Sequence, residues 1–163
     1  MLIYGLILGV SSVLFSVTLY LTGNIFGRSW LKALTSLSIF IGIIIYAIYS
    51  YKHKNNSFLK LREALKMGIG ITFVAEIISI IWEILLRNVI EPDMTNHILQ
   101  IQQDSMIQNN PDISMEKVHK KITTIKKHNA LYILSMLSLI NYLFVGFIIS
   151  LVGGLVMSKK QNL

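Results

Sequence analysis

Two carboxylates stand where carboxylates are costly. Glu76 and Glu83 are the charged residues inside the apolar run 67–86, and an ionisable side chain near the middle of a membrane helix costs about 2.5–3.5 kcal/mol on insertion scales, so it faces an interior, a partner or a path. Seven residues apart, they share one helix face at about 10 Å along the axis. That separation is too long for one shared proton, yet both could line a single polar route. Glu83 also precedes Arg87 by four residues, the favourable order for an i,i+4 ion pair, so its first reading is structural. Glu76 has no such neighbour, and Asn141, midway along the last apolar run, is its expected hydrogen-bond partner. Between a polar contact that holds helices together and an ion or proton path, the contact is the simpler expectation.

No other residues form a constellation that does chemistry. His53, His97, His119 and His128 all lie outside the apolar runs. Glu116 and His119 have the Glu-x-x-His spacing of di-iron bundles, but such sites need a second copy and two further glutamates. With zero cysteines there is no disulfide, thiolate zinc site, iron–sulfur cluster or cysteine nucleophile. Walker, His-Glu-x-x-His, Gly-x-Ser-x-Gly and dinucleotide signatures are absent as well. The sequence therefore predicts a non-enzymatic protein with no catalytic, cofactor-binding or metal-binding residues.

What must position Glu76 and Glu83 is a set of apolar helices. The 163 residues are 53% hydrophobic and 14% charged, with a mean hydropathy of +0.61, whereas a soluble domain carries about a quarter charged residues. Four runs hold the excess, at residues 2–22, 33–51, 67–86 and 130–157, and about 20 helical residues cover a hydrocarbon core of roughly 30 Å. The first run lacks a basic leader and is longer than the roughly 7–15-residue core of a signal peptide, so a retained helix is expected. Tyr46, Tyr49 and Tyr51 beside Lys52 and Lys54 read as an aromatic belt with snorkelling cations. The fourth run is long enough to require tilt or an end that projects from the bilayer. A soluble bundle would need four such runs buried at once, three of them uncharged, and is set aside.

The net charge of +7 sits at the flanks of these runs, without the interleaved aromatics of a nucleic-acid surface, so no nucleic-acid partner is expected. Cations nearly balance across the two sides; the density of Lys52, Lys54, Lys60, Arg62 and Lys66 between the second and third runs points to both termini in the cytoplasm. The long 87–129 connection reads as an extramembrane helical hairpin over 92–127. Pro92 opens a segment with Met94, Ile98 and Ile101, and Asn109–Asn110–Pro111–Asp112 breaks it. Met115, Val118, Ile122 and Ile125 then form one stripe of an amphipathic helix whose other faces carry Glu116, Lys117, Lys120, Lys121, Lys126 and Lys127. Such a stripe could lie on a membrane, pack against its neighbour or dock on a partner, and the segment is expected to run partly into the fourth span.

Small residues recur at helix-packing spacing: Gly5 and Gly9; Ser38 and Gly42; Gly146, Ser150 and Gly154. They predict close helix contacts within a bundle or between copies. The fold expected is all-α, an integral membrane bundle of four transmembrane helices. Its expected partners are membrane lipid and a second copy or another membrane protein.

Several stretches carry a resemblance: Tyr4–Gly5–Leu6–Ile7, Ser57–Phe58, Glu63–Ala64–Leu65–Lys66–Met67–Gly68, Trp82–Glu83–Ile84, Pro92–Asp93–Met94, and the closing Ile149–Ser150–Leu151 with Lys159–Lys160. Together they resemble a bacterial family of small four-helix membrane proteins, domain-of-unknown-function family 4199, typical of Bacteroidetes. The resemblance implies four transmembrane helices, an inner-membrane location and a variable helical insert between the third and fourth, and it supplies no activity. In that pattern the position of Glu76 is usually small or apolar, whereas Trp82–Glu83 and Pro92–Asp93 match. A protein that acts by association, as a homo-oligomer or an accessory subunit of an envelope complex, is the resulting expectation. A small channel or transporter using Glu76 and Glu83 is the alternative.

Overall fold

The computed structural model describes residues 1–24, 29–110, 113–128 and 131–158. Its helices are α1 (Leu2–Leu21), α2 (Trp30–Lys54), α3 (Leu61–Leu85), a π-helical turn (Leu86–Ile90), α4 (Met94–Asn109), α5 (Met115–His128) and α6 (Leu131–Met157). Four stretches, Leu2–Leu21, Trp30–Lys54, Leu61–Ile90 and Ser135–Met157, are long and apolar enough to cross a membrane. The fold is all-α, with no strand among the described residues. Arg28, the Pro111–Asp112 break, Ala130 and the closing Lys159 and Lys160 lie outside the described residues.

α2 overruns its apolar run at both ends and α3 at its start, since a helical backbone continues past the hydrocarbon wherever long side chains such as Lys32, Lys52 and Lys66 can reach water. Local chemistry then sets the boundaries. At the end of α1, Gly23 takes φ +66°. Its N–H donates to the Tyr20 carbonyl and that of Asn24 to the Leu19 carbonyl, at 3.0 and 2.9 Å, which is the double closure of a Schellman motif. α2 ends without glycine: Asn56 and Ser57 stand at φ 51° and 64°, and the Ser57 N–H donates to the Lys52 carbonyl at 3.0 Å, the longer-range of the two closing bonds. α3 starts where Glu63 Oε2 accepts from the Lys60 N–H at 2.9 Å, the returning half of a capping box.

The chain divides into two compact units, Met1–Ile80 with Leu139–Leu163, and Ile81–Ser138. In the first, the Tyr4 hydroxyl donates to Ser50 Oγ at 2.8 Å, tying the start of α1 to the end of α2, so the two helices are antiparallel. Gly5 and Gly9 of α1 meet Val74 and Ile78 of α3 in ascending order, so those two run parallel. Phe40 of α2 lies 5.7 Å from Tyr142 of α6 between ring centroids, and Ile45 meets Gly153 further along both helices, a second parallel pair. Leu8, Ile44, Ile48 and Ile71 are fully buried at the centre. The second unit contains the α4–α5 hairpin, with Met94, Leu99 and Val118 buried and α4 packed against α5. Burial of Val118 means that the stripe of α5 is used, at that turn, inside the protein.

Candidate functional site

α3 carries both candidate carboxylates, and α6 is positioned against it by side chains too small to keep the backbones apart. A Cβ at Gly154 would stand 2.8 Å from that of Ala64, one at Gly68 would overlap Ser150, and one at Gly146 would overlap Thr72. The pairs 64/154, 68/150 and 72/146 step by four residues in opposite directions, one antiparallel seam. On the other side of α3, Cβ atoms at Gly5 and Gly9 would come within 2.7 Å of Val74 Cβ and Ile78 Cδ1. α3 is thus gripped from two directions, and the close approach strengthens dispersion where no hydrophobic force separates helix from lipid.

Glu76 lies on the buried side of α3, 6% exposed. The nearest hydroxyls on its own helix are committed: Thr72 Oγ1 donates to the Gly68 carbonyl at 2.8 Å, and Ser79 Oγ to the Ala75 carbonyl at 3.1 Å. One further four-residue step along the seam, from 72/146, sets Glu76 level with Tyr142, whose ring leans on Phe40. Asn141, the expected partner, is exposed, as is Tyr142 at 41%. It has the correct height but stands about 100° round the helix from Tyr142.

In the second unit, Glu83 and Arg87 do meet: Arg87 Nη2 donates to Glu83 Oε1 at 2.6 Å, with the side chains 30% and 15% exposed. Arg87 belongs to the π-helical turn Leu86–Ile90, a local widening that recurs at functional positions and helix ends. Its Nε is buried with no hydrogen-bond partner among the described residues. This pair is an electrostatic tie with one donor in reserve. Glu91 and His97, 3.9 Å apart, form a looser contact at the entry to α4.

The remaining packing candidates fall on a different face. Ser38 and Gly42 are exposed on α2, and a Cβ at Gly42 would meet no atom within 4 Å. Of the residues that do build the seam, Ala64, Gly68 and Thr72 were not singled out as packing residues by sequence reasoning, although Gly68-x-x-x-Thr72 carries the same small-residue spacing as the motifs that were; Gly153, also missed, meets Ile45 of α2. Glu116 and His119 are exposed on α5, and among the described residues no group of three or more His or carboxylate side chains is placed to hold a metal. The arrangement of polar groups among the described residues comprises close helix contacts and a buried acid.

An all-α chain with four helices long and apolar enough to cross a membrane, held close by glycine contacts, defines the class: a multi-pass helical membrane protein. The chain matches the family described as "Protein of unknown function (DUF4199)" over residues 3–159 and belongs to it. No curated protein and no solved structure matches it.

Proposed function

We propose that this protein works without catalysis, by lateral association in a bacterial inner membrane, with both termini cytoplasmic, as a homo-oligomer or as a subunit of a larger envelope complex. The observation that carries this reading is Gly42. Among the described helical glycines, it is the one whose added Cβ would touch nothing, whereas Gly5, Gly9, Gly68, Gly70, Gly146, Gly153 and Gly154 all lie against an intrachain neighbour. Glycine in a helix interior costs about 1 kcal/mol relative to alanine, so an open position gains nothing from it inside the monomer. With Ser38 one turn before it, Gly42 offers a second helix the same close approach that α3 and α6 already use. The cation-dense ends of α2 and α3 support the cytoplasmic side for the termini.

The test is the mass of the full chain in mild detergent, by light scattering, beside Gly42→Leu. Because nothing crowds Gly42, the leucine is accommodated in the monomer and blocks only a partner. The wild-type chain is expected as an oligomer or with a reproducible partner, and the variant as a lone monomer. A wild-type chain that is already monomeric and partnerless overturns the reading. Burial of Glu76 favours a second reading, a small channel or transporter. In proteoliposomes, flux that is indifferent to Glu76→Gln and Glu83→Gln removes it.

A further inference from the structure

The basic face of α5 is the feature that association does not use. Lys117, Lys120 and Lys121 stand three and four residues apart and so project from one side of the helix, about 100° round the helix from Val118, which is buried. Together with Ile113 and Thr124 they line a groove of about 550 Å3, within the size range of small-molecule sites. Among the described residues none of the three ammonium groups is in an ion pair. Like charges at this spacing repel, and the helix contains one acid, Glu116, against Lys117, Lys120, Lys121, Lys126 and Lys127. A bound anion would relieve that repulsion.

We infer that this face of α5 binds the phosphate headgroup of an anionic phospholipid, three lysines taking the phosphate oxygens while Ile113 and the lysine methylenes cover the ligand's apolar part. Two features select a lipid. α5 ends at His128 and α6, apolar and of membrane length, begins at Leu131, so the face lies within a few helical turns of a bilayer surface. The groove is mainly apolar beneath its cations, which suits an amphiphile better than a bare inorganic ion. Lysine supplies point charges without the planar fork of arginine, so headgroups are sorted by charge with little discrimination of shape. Juxtamembrane cations acting in this way strengthen lipid attachment by about fivefold each.

The experiment counts lipids retained by the full chain in native mass spectrometry from mild detergent, with phosphatidylglycerol and phosphatidylcholine added in equal amounts. The wild-type chain is expected to retain phosphatidylglycerol preferentially. K117Q/K120Q/K121Q is expected to lose that preference, by about fivefold for each lysine removed. K52Q/K54Q/K60Q, the same change in charge outside the groove, is expected to lower it less than the α5 variant does, and equal loss in both overturns the groove as the site. Circular dichroism checks that both variants remain helical; if the α5 variant unfolds, single lysine substitutions are read instead. Retention that does not distinguish the two lipids, or a preference that survives the α5 substitutions, overturns the inference. Displacement of the lipid by millimolar inorganic phosphate reassigns the site to a soluble phosphate and overturns the lipid as its source.

Discussion

Ser150 of α6 rests directly on Gly68 of α3, and one turn further Thr72 of α3 rests on Gly146 of α6. The glycine therefore changes sides at each turn, and neither helix can move along the other without driving a side chain into backbone. Registration of the seam does not depend on any one residue, and the buried position of Glu76 follows from it.

Filling either glycine should open the seam. Gly68→Val and Gly146→Val are each expected to destabilise the chain by about 1–3 kcal/mol, the usual range for overpacking. Unfolding by SDS titration in mixed micelles measures this. Variants as stable as the wild-type chain would mean that α3 and α6 are not in close contact.

One turn beyond the seam stand Glu76 and Tyr142. If they share a hydrogen bond across α3 and α6, Glu76→Gln and Tyr142→Phe are expected to be non-additive, with a coupling of about 0.6 kcal/mol and at most about 1.7, as polar contacts between membrane helices show. Asn141→Ala should fall within about 0.5 kcal/mol of wild type, as exposed substitutions do. A double-mutant cycle measured in the same micelles decides it, and coupling of Glu76 to Asn141 with none to Tyr142 would contradict the prediction.

The contrast between Gly146 and Gly42 marks what the sequence could convey. Hydrophobic length is a one-dimensional property, and it located the four membrane-length helices and the insert. Spacing along one helix is local, and it located the Glu83–Arg87 pair. Which face of a helix meets its neighbour depends on the rotation of one helix against another, which spacing along the sequence does not set. The same ambiguity puts Gly146 and Ser150 inside the seam, and Ser38 and Gly42, with the same spacing, on the outer surface of α2. The π-helical turn has no signal in composition, because Leu86–Ile90 is as compatible with an α-helix as the residues before it.

The turn after α2 holds removable strain. Asn56 and Ser57 both occupy the left-handed region, which asparagine tolerates and serine tolerates less well, since its Cβ approaches the following carbonyl. Ser57→Gly is expected to stabilise the chain by about 0.5–1 kcal/mol, part of the gain being offset by the greater freedom of glycine in the unfolded state. Ser57→Val should destabilise it, because a β-branched residue fits that region worst. A thermal-unfolding series in detergent reads both signs, and stabilisation by valine would contradict the backbone geometry.

The Glu83–Arg87 tie makes a prediction about ordering that does not depend on the absolute strength of the pair. At 30% and 15% exposure the two groups are too sheltered to be fully hydrated when separated, so removal of one strands the other. Arg87→Met leaves a carboxylate without its partner at the apolar end of α3. It is expected to cost about 1 kcal/mol, between the small value of an exposed i,i+4 pair and the several kcal/mol of a fully buried one. Glu83→Gln in the same chain should then restore part of the loss, since a neutral amide demands less of its surroundings than an unpaired charge. The double variant is therefore expected to be more stable than Arg87→Met alone, as measured by SDS titration. If the second substitution only adds to the damage, Glu83 is held by groups other than Arg87, and the pair does not stabilise the π-helical turn.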